Sequence, residues 1–323
     1  MPLNVALLGY GSIARFHVQA LREIPDADVR FAGVMGPRLE PTRAFADEFG
    51  FARATTSLDE LLGDPAVDAV IITSPSEAHA EQTAASLRAG KHVLCEIPLA
   101  MSLADTDRLV RLADQADRRL MVCHTERFEA GLQMARHLVA SGALRPYAAV
   151  SRYMFHRREN VNWMKRRRTW TDNLLWHHGC HAVDALLWLL DATEAEVKAE
   201  IAPPSGPLQI PMDLGIVMRT PRAQVITLGM SYNTHFPFHE YLLIGEETSL
   251  LYEDGTLRRP EHVLVQKGGE ASFEAAVRRQ NAEFLAAVRE QREPRASGRA
   301  VRPAMAALQA AQDQLDARLR ARG

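Results

Sequence analysis

The chain runs to 323 residues but contains only three cysteines, Cys95, Cys123 and Cys180. An odd number cannot pair fully and their spacing suggests no disulfide framework, so a reducing cytoplasm is the expected location. An excess of one charge is also lacking: 38 basic against 40 acidic side chains leave a net charge of −2. No global field therefore favours nucleic acid or an anionic membrane surface. No apolar run approaches the roughly 20 residues that a membrane span needs. The first residues lack a basic segment and a small-residue cleavage site, and Leu3–Leu8 reads as a strand rather than a signal peptide. There are no internal repeats, and the Arg/Ala-rich C-terminus reads as an amphipathic helix rather than a low-complexity tail.

What is present is 47% hydrophobic content over a length that suits two domains. Short apolar runs at Asn4–Leu8, Val29–Val34, Ala69–Thr73, His92–Cys95 and Leu120–Cys123 alternate with amphipathic helical patterns. This rhythm predicts an α/β domain over 1–123 with a doubly wound parallel sheet. After His124 the rhythm changes. A helix at Phe128–Ser141, a strand at Ala148–Phe155 and a helix at Asn173–Leu190 precede strand-like runs from Ala195 to Tyr252. Two helices near Ser272–Gln291 and Ala300–Arg320 close the chain. Residues 124–323 are therefore expected to form an α+β domain with a large, mainly antiparallel sheet, read as a meander.

Gly9-Tyr10-Gly11-Ser12-Ile13-Ala14 follows the first strand and opens the first helix. Gly9 permits a tight turn, Gly11 lets the backbone approach a pyrophosphate, and Ala14 allows close helix–sheet contact. Ser12 and Ile13 begin the helix whose amides face the phosphates. The glycine pattern is weak alone, but this context makes it a dinucleotide fingerprint. The second strand ends Val34-Met35-Gly36-Pro37-Arg38, with no acidic residue for a ribose 2′-hydroxyl. Arg38 can pair with a 2′-phosphate in a bidentate fork, so NADP is expected, with NAD the alternative.

Two further segments carry a resemblance. Gly90-Lys91-His92-Val93 leads into Glu96-Ile97-Pro98, and Thr73-Ser74-Pro75 is followed by His79. Both resemble the Gfo/Idh/MocA family of nicotinamide oxidoreductases. The resemblance implies that Ser74, Pro75 and His79 are cofactor neighbours and that Glu96 lies near the nicotinamide ribose. It also implies a lysine touching the reacting hydroxyl where this chain has Ile97. On the residues alone, His79 is equally a helix-start hydrogen-bonding residue.

The run from Asp172 to Trp188 has helical apolar spacing and holds three histidines within five residues. On a helix, His177, His181 and Asp184 share one face. By the resemblance, His177 stands where the family has an aspartate, His181 takes the histidine slot and Asp184 the third. A neutral imidazole, with an ordinary pKa of about 6.5, accepts a proton near neutral pH more readily than an ammonium-forming lysine. The base is expected at His181, with His177 and His178 as alternatives, and Asp184 is placed to orient an imidazole. Two histidines four apart with a carboxylate also match a zinc arrangement. No His-Glu-x-x-His is present, however, and no metal is expected.

Residues 152–168 hold seven basic side chains and one acid, Glu159, with Trp163 interleaved and Trp170 just beyond. Such runs can bind nucleic acid. This one lies where the family forms its substrate pocket, so a small anionic substrate, a dicarboxylate, is expected instead. Arg127, Arg158 and Arg168, with Asn160 and Trp170, are the candidate substrate contacts. Glu126 departs from the pattern, since a second basic residue is expected beside Arg127. Glu96–Ala100, His124–Phe128, Phe155–Asn160 and Trp170–His178 further resemble one branch of the family. That branch uses NADP to oxidise the cyclic hemiacetal of an aromatic ring-cleavage semialdehyde. The resemblance also implies a homodimer or homotetramer built on the second sheet. A sugar or cyclitol dehydrogenase and a non-catalytic NADP-binding sensor are the competing readings: Ile97 opposes the first, and the three histidines oppose the second.

Overall fold

The computed structural model describes residues 2–161 and 173–322, and the chain divides into two compact units. The first comprises Met1–Thr125 and Glu274–Val301, the second Glu126–Phe273 and Arg302–Gly323.

In the first unit the chain alternates β1 (Leu3–Leu8), α1 (Ser12–Glu23), β2 (Val29–Met35), α2 (Leu39–Phe49), β3 (Ala54–Thr55), α3 (Leu58–Leu62), β4 (Ala69–Ile72), α4 (Ser76–Arg88), β5 (His92–Cys95), α5 (Leu103–Ala116) and β6 (Leu120–Val122). All six strands are parallel, in the order β3-β2-β1-β4-β5-β6. β4 and β6 are buried along their whole length. That is why both read as continuous apolar runs rather than alternating ones. The strand order reverses between β1 and β4, and ligands of such sheets bind beyond the carboxyl ends at this switch point. Gly9 follows β1 there and Thr73 follows β4. The two-residue β3 and five-residue α3 are too short to leave a periodic signal in the sequence. α3 is fixed locally, Ser57 Oγ accepting from the Glu60 amide at 3.2 Å.

The second unit begins with a 3₁₀ turn (Thr125–Phe128, its first residue closing the first unit), then α6 (Ala130–Ala140), β7 (Pro146–Met154) and α7 (His178–Leu189). β8 (Glu196–Ile201), β9 (Pro204–Ser205), β10 (Ile210–Pro211), β11 (Asp213–Arg219), β12 (Val225–Ser231), β13 (Phe238–Gly245), β14 (Ser249–Glu253), β15 (Thr256–Arg259) and β16 (His262–Val265) follow. Eight of these strands form one sheet, ordered β16-β15-β14-β13-β7-β12-β11-β8. β11 and β12 alternate buried and exposed residues, the period-two mark of a sheet covered on one face. The sheet is not a simple meander. β7 inserts between β12 and β13, parallel to the first and antiparallel to the second. Alternation shows which face of a strand is buried; it does not identify the neighbouring strand.

The closing helices are α8 (Phe273–Arg289) and α9 (Gly298–Arg322). The sequence assigns everything after residue 123 to the second domain, but Glu274–Val301 belongs to the first unit. The Val122 amide donates to the Ala296 carbonyl at 2.8 Å, and Asn281 is fully buried against His17. A helix's apolar stripe shows that it packs, without showing against what. α7 is also shorter than expected: Leu174–His177 form a turn, and the helix begins at His178.

Candidate active site

In the first unit, the end of β1 forms a cradle. Gly9 adopts φ +100°, and a Cβ there would lie 2.8 Å from the Thr73 carbonyl carbon and oxygen. Gly11 is open: a Cβ there would meet only the Thr73 oxygen, at 3.9 Å. α1 has no side-chain cap at Gly11 and no acid in its first turn, so its start favours an anion. Ser12 and Ala14 are buried and Ile13 is half-buried. Thr73 Oγ1 ties the two strand ends together by donating to the Leu8 and Gly9 carbonyls at 3.1 and 3.0 Å. Arg38 sits exposed at the start of α2, and its guanidinium has no partner among the described residues. The residues fit a dinucleotide.

Beyond β4, Ser74 Oγ donates to Gln82 at 2.5 Å and exposed Pro75 opens α4. His79 is buried, with Nδ1 on the Pro98 carbonyl at 2.8 Å and Nε2 on the Ser74 carbonyl at 2.9 Å. Carbonyl oxygens only accept, so both ring nitrogens donate and the imidazole is a cation. Burial works against that charge, but the Cys95 sulfur and the two carbonyls outweigh it and hold the pKa up to about 9. His79 thus braces the Ser74 loop against the segment after Glu96.

Glu96 is half-buried and receives the Ile97 amide at 3.3 Å. Its Oε1 meets His17 Nε2 at 2.9 Å, while His17 Nδ1 faces Asn281 Oδ1 at 2.9 Å. Asn281 Nδ2 donates to the His17 carbonyl, so Oδ1 is the atom facing the ring and Nδ1 carries a proton. Sequence reasoning missed His17 and Asn281; the only available hint was that His17 lies three residues after Ala14, on the same helix face. The donor atoms of His17, Glu96 and Cys123 lie within 4.8 Å of one another, as a metal site would require. Burial pushes the Cys123 thiol well up, however, which opposes the thiolate that a metal binds. Ile97 itself is buried and apolar.

In the second unit, His177, His178 and His181 are all half-buried at the start of α7. The His177 and His178 rings pack edge to face, 4.6 Å apart. His178 Nδ1 meets the hydroxyl of buried Tyr232 at 2.5 Å. Asp184 is placed differently from the expectation that it orients an imidazole. Its two oxygens accept from Arg127 Nε and Nη2 at 2.7 and 2.6 Å, in a fork buried from solvent. The Arg127 guanidinium, expected on a substrate carboxylate, also lies over the Trp188 ring. Glu126, the unexpected acid, is buried: Oε1 accepts from His239 Nε2 at 3.0 Å and Oε2 from the Tyr241 hydroxyl. Burial would raise its pKa, but His239, His181 and Tyr241 hold it down at about 2.

The basic run is partly accounted for. Arg152 pairs with Glu240 at 2.6 Å and covers the Phe238 ring. Arg157 is buried over the Tyr232 ring and donates to half-buried Asn160 at 3.3 Å. Exposed Arg158 donates to the carbonyls of Arg157 and Tyr232 at 2.9 and 3.0 Å. Arg168 and Trp170 lie outside the described residues.

Residues 3–124 match the oxidoreductase family with an NAD-binding Rossmann fold (GFO_IDH_MocA), and residues 131–258 match the C-terminal domain of bacterial oxidoreductases. The chain is 32% identical over 298 residues to 4-carboxy-2-hydroxymuconate-6-semialdehyde dehydrogenase of Sphingobium sp., covering 91% of this chain and 93% of that protein. It is 30% identical to 1,5-anhydro-D-fructose reductase of Ensifer adhaerens, covering 82% of this chain and 80% of that one. Among solved structures, a levoglucosan dehydrogenase in complex with NADH and levoglucosan superposes with a TM-score of 0.85. It covers 97% of both chains at 19% identity, a likeness of fold.

Proposed function

This chain belongs to the Gfo/Idh/MocA oxidoreductase family, and on that premise we propose that it is an NADP-dependent dehydrogenase of a cyclic hemiacetal. The substrate in this reading is the hemiacetal of 4-carboxy-2-hydroxymuconate-6-semialdehyde, and the product is 2-pyrone-4,6-dicarboxylate. The observation that carries the reading is buried, apolar Ile97 in a chain with three half-buried imidazoles at the start of α7. Without an amine at position 97, the hydroxyl proton needs another acceptor. A hemiacetal hydroxyl is more acidic than an ordinary alcohol, so an imidazole suffices.

Bound NADP supplies the hydride acceptor. Gly9, Gly11 and the first turn of α1 hold the pyrophosphate, and Arg38 pairs with the 2′-phosphate. Glu96, fixed by His17 and the Ile97 amide, would hold the nicotinamide ribose. His181 takes the hydroxyl proton, with His177 and His178 as the alternative bases. Two substrate carboxylates give a purpose to the basic run, where Arg158 is the exposed candidate. The protein works in the cytoplasm as a homo-oligomer built on the open face of the second sheet. Similarity to 1,5-anhydro-D-fructose reductase favours one alternative, a sugar substrate. Reduction of NADP and of NAD, measured against ring-cleavage semialdehydes and free sugars, separates the two. Turnover of the semialdehyde with a preference for NADP supports the proposal; turnover of sugars alone overturns it.

A further inference from the structure

Four tyrosines of the second unit gather round two imidazoles. Tyr153 and Tyr232 pack on His178 with ring centroids 5.1 and 5.6 Å away. Tyr153, Tyr241 and Tyr252 pack on His239 at 4.7, 5.7 and 6.1 Å. Three of these hydroxyls are engaged within the unit. That of Tyr232 meets His178 Nδ1, that of Tyr241 donates to Glu126 and that of Tyr252 donates to Glu129. The Tyr153 hydroxyl makes no hydrogen bond among the described residues. Yet Tyr153 is not a surface phenol. Its register partners are His239 on β13 and buried Met230 on β12, and cross-strand partners share a face, here the covered one. Tyr153 is half-buried there, and Phe155, 6.3 Å away edge to face, adds to the rings that hold it. A phenol in such a place ordinarily has a partner for its O–H, which leaves this one to water or to a ligand.

We propose that Tyr153 is a substrate-binding residue whose hydroxyl donates a hydrogen bond to an uncharged oxygen of the hemiacetal, its ring or hydroxyl oxygen. The inference rests on the hemiacetal reading and adds a contact to it. Arg127, the donor expected from the sequence, is taken up by Asp184 through both ends of its fork. Tyr153 stands one ring contact from His178, on the turn that carries the three imidazoles. Imidazoles on two sides fix its ring, so the hydroxyl is placed before the substrate arrives. Burial, together with Glu126, Tyr232 and Glu129, pushes that hydroxyl well up, so it keeps its proton and donates at any working pH. The two carboxylates also disfavour a substrate carboxylate at this spot. The uncharged oxygens are left as its acceptors, and the carboxylates fall to the basic run.

The test is the steady-state kinetics of Tyr153→Phe with the semialdehyde hemiacetal, beside its melting temperature and its affinity for NADP. KM should rise about fivefold with kcat nearly unchanged, the loss of one hydrogen bond made alike in the ground and transition states. The melting temperature and the NADP affinity should match wild type, because the hydroxyl removed has no partner within the unit. Tyr241→Phe, which removes a hydroxyl bound to Glu126, should show the reverse: a lower melting temperature at an unchanged KM. That same pattern in Tyr153→Phe, or a Tyr153→Phe enzyme with wild-type KM, overturns the inference. The hemiacetal reading fails separately, by a wild-type enzyme that does not turn over the semialdehyde, and the inference would fall with it.

Discussion

The Arg127–Asp184 pair separates two roles for an arginine that the sequence places on the substrate. Asp184→Asn keeps the shape of the site but removes the charge that compensates a guanidinium only 7% exposed. Removing one partner of a buried ion pair costs about 3–5 kcal/mol, because the remaining charge stays desolvated. The Trp188 ring, 5.9 Å from the guanidinium carbon, offsets about 1 kcal/mol of this at most. Arg127→Met removes the guanidinium that balances the carboxylate and should cost a similar amount. The double variant Arg127→Met/Asp184→Leu removes both charges, so its cost should fall well below the sum of the single ones. Urea unfolding followed by tryptophan fluorescence is the assay. Trp176 and Trp188, the tryptophans among the described residues, lie in the second unit. The midpoint should drop with an unchanged slope. Single variants within about 0.5 kcal/mol of wild type, with a raised KM for the anionic substrate, would refute the structural role and return Arg127 to the substrate.

Gly9→Ala should weaken NADPH binding more than tenfold, since a Cβ at φ +100° meets the Thr73 backbone; an unchanged Kd by fluorescence titration would mean that this turn is no cradle. Burial pushes the Cys123 and Cys180 thiols well up, so both should resist alkylation in the native protein and react only in denaturant, while rapid native labelling followed by mass spectrometry would contradict this. The pH dependence of stability has two limbs with opposite signs. Glu126 is depressed from 4.5 to about 2, so its contribution is present above pH 4.5 and is lost as pH falls through 2. His239 is raised above 6.5 by Glu126 against the effect of burial, so its contribution is present below pH 6.5 and is lost as pH rises through the folded-state value. Melting temperature against pH should therefore be highest between those limits, and Glu126→Gln should flatten both limbs; a parallel profile in that variant would refute the pairing.

The first unit is legible in the sequence because its signals are local. Strands buried on both faces appear as unbroken apolar runs, and the glycine turn needs only six consecutive residues. The three histidines are legible for the same reason, since five consecutive residues hold them. What resists reading is set at long range. Glu126 looks like an error beside Arg127 until His239, 113 residues away, supplies its partner. Arg127 looks free until Asp184, 57 residues on, takes both ends of its fork. The insertion of β7 and the return of α8 to the first unit follow the same rule. Periodicity identifies a buried face, and only tertiary contacts identify what covers it.

The measurement closest to the chemistry is single-turnover NADP reduction with the semialdehyde hemiacetal in His177→Ala, His178→Ala and His181→Ala, with cofactor affinity measured in the same preparations. Loss of a general base lowers the rate by about 10²–10⁴. His181→Ala should show that loss with its NADP affinity intact, and the other two variants should show less. Wild-type rates in all three would mean that no imidazole on this turn receives the proton.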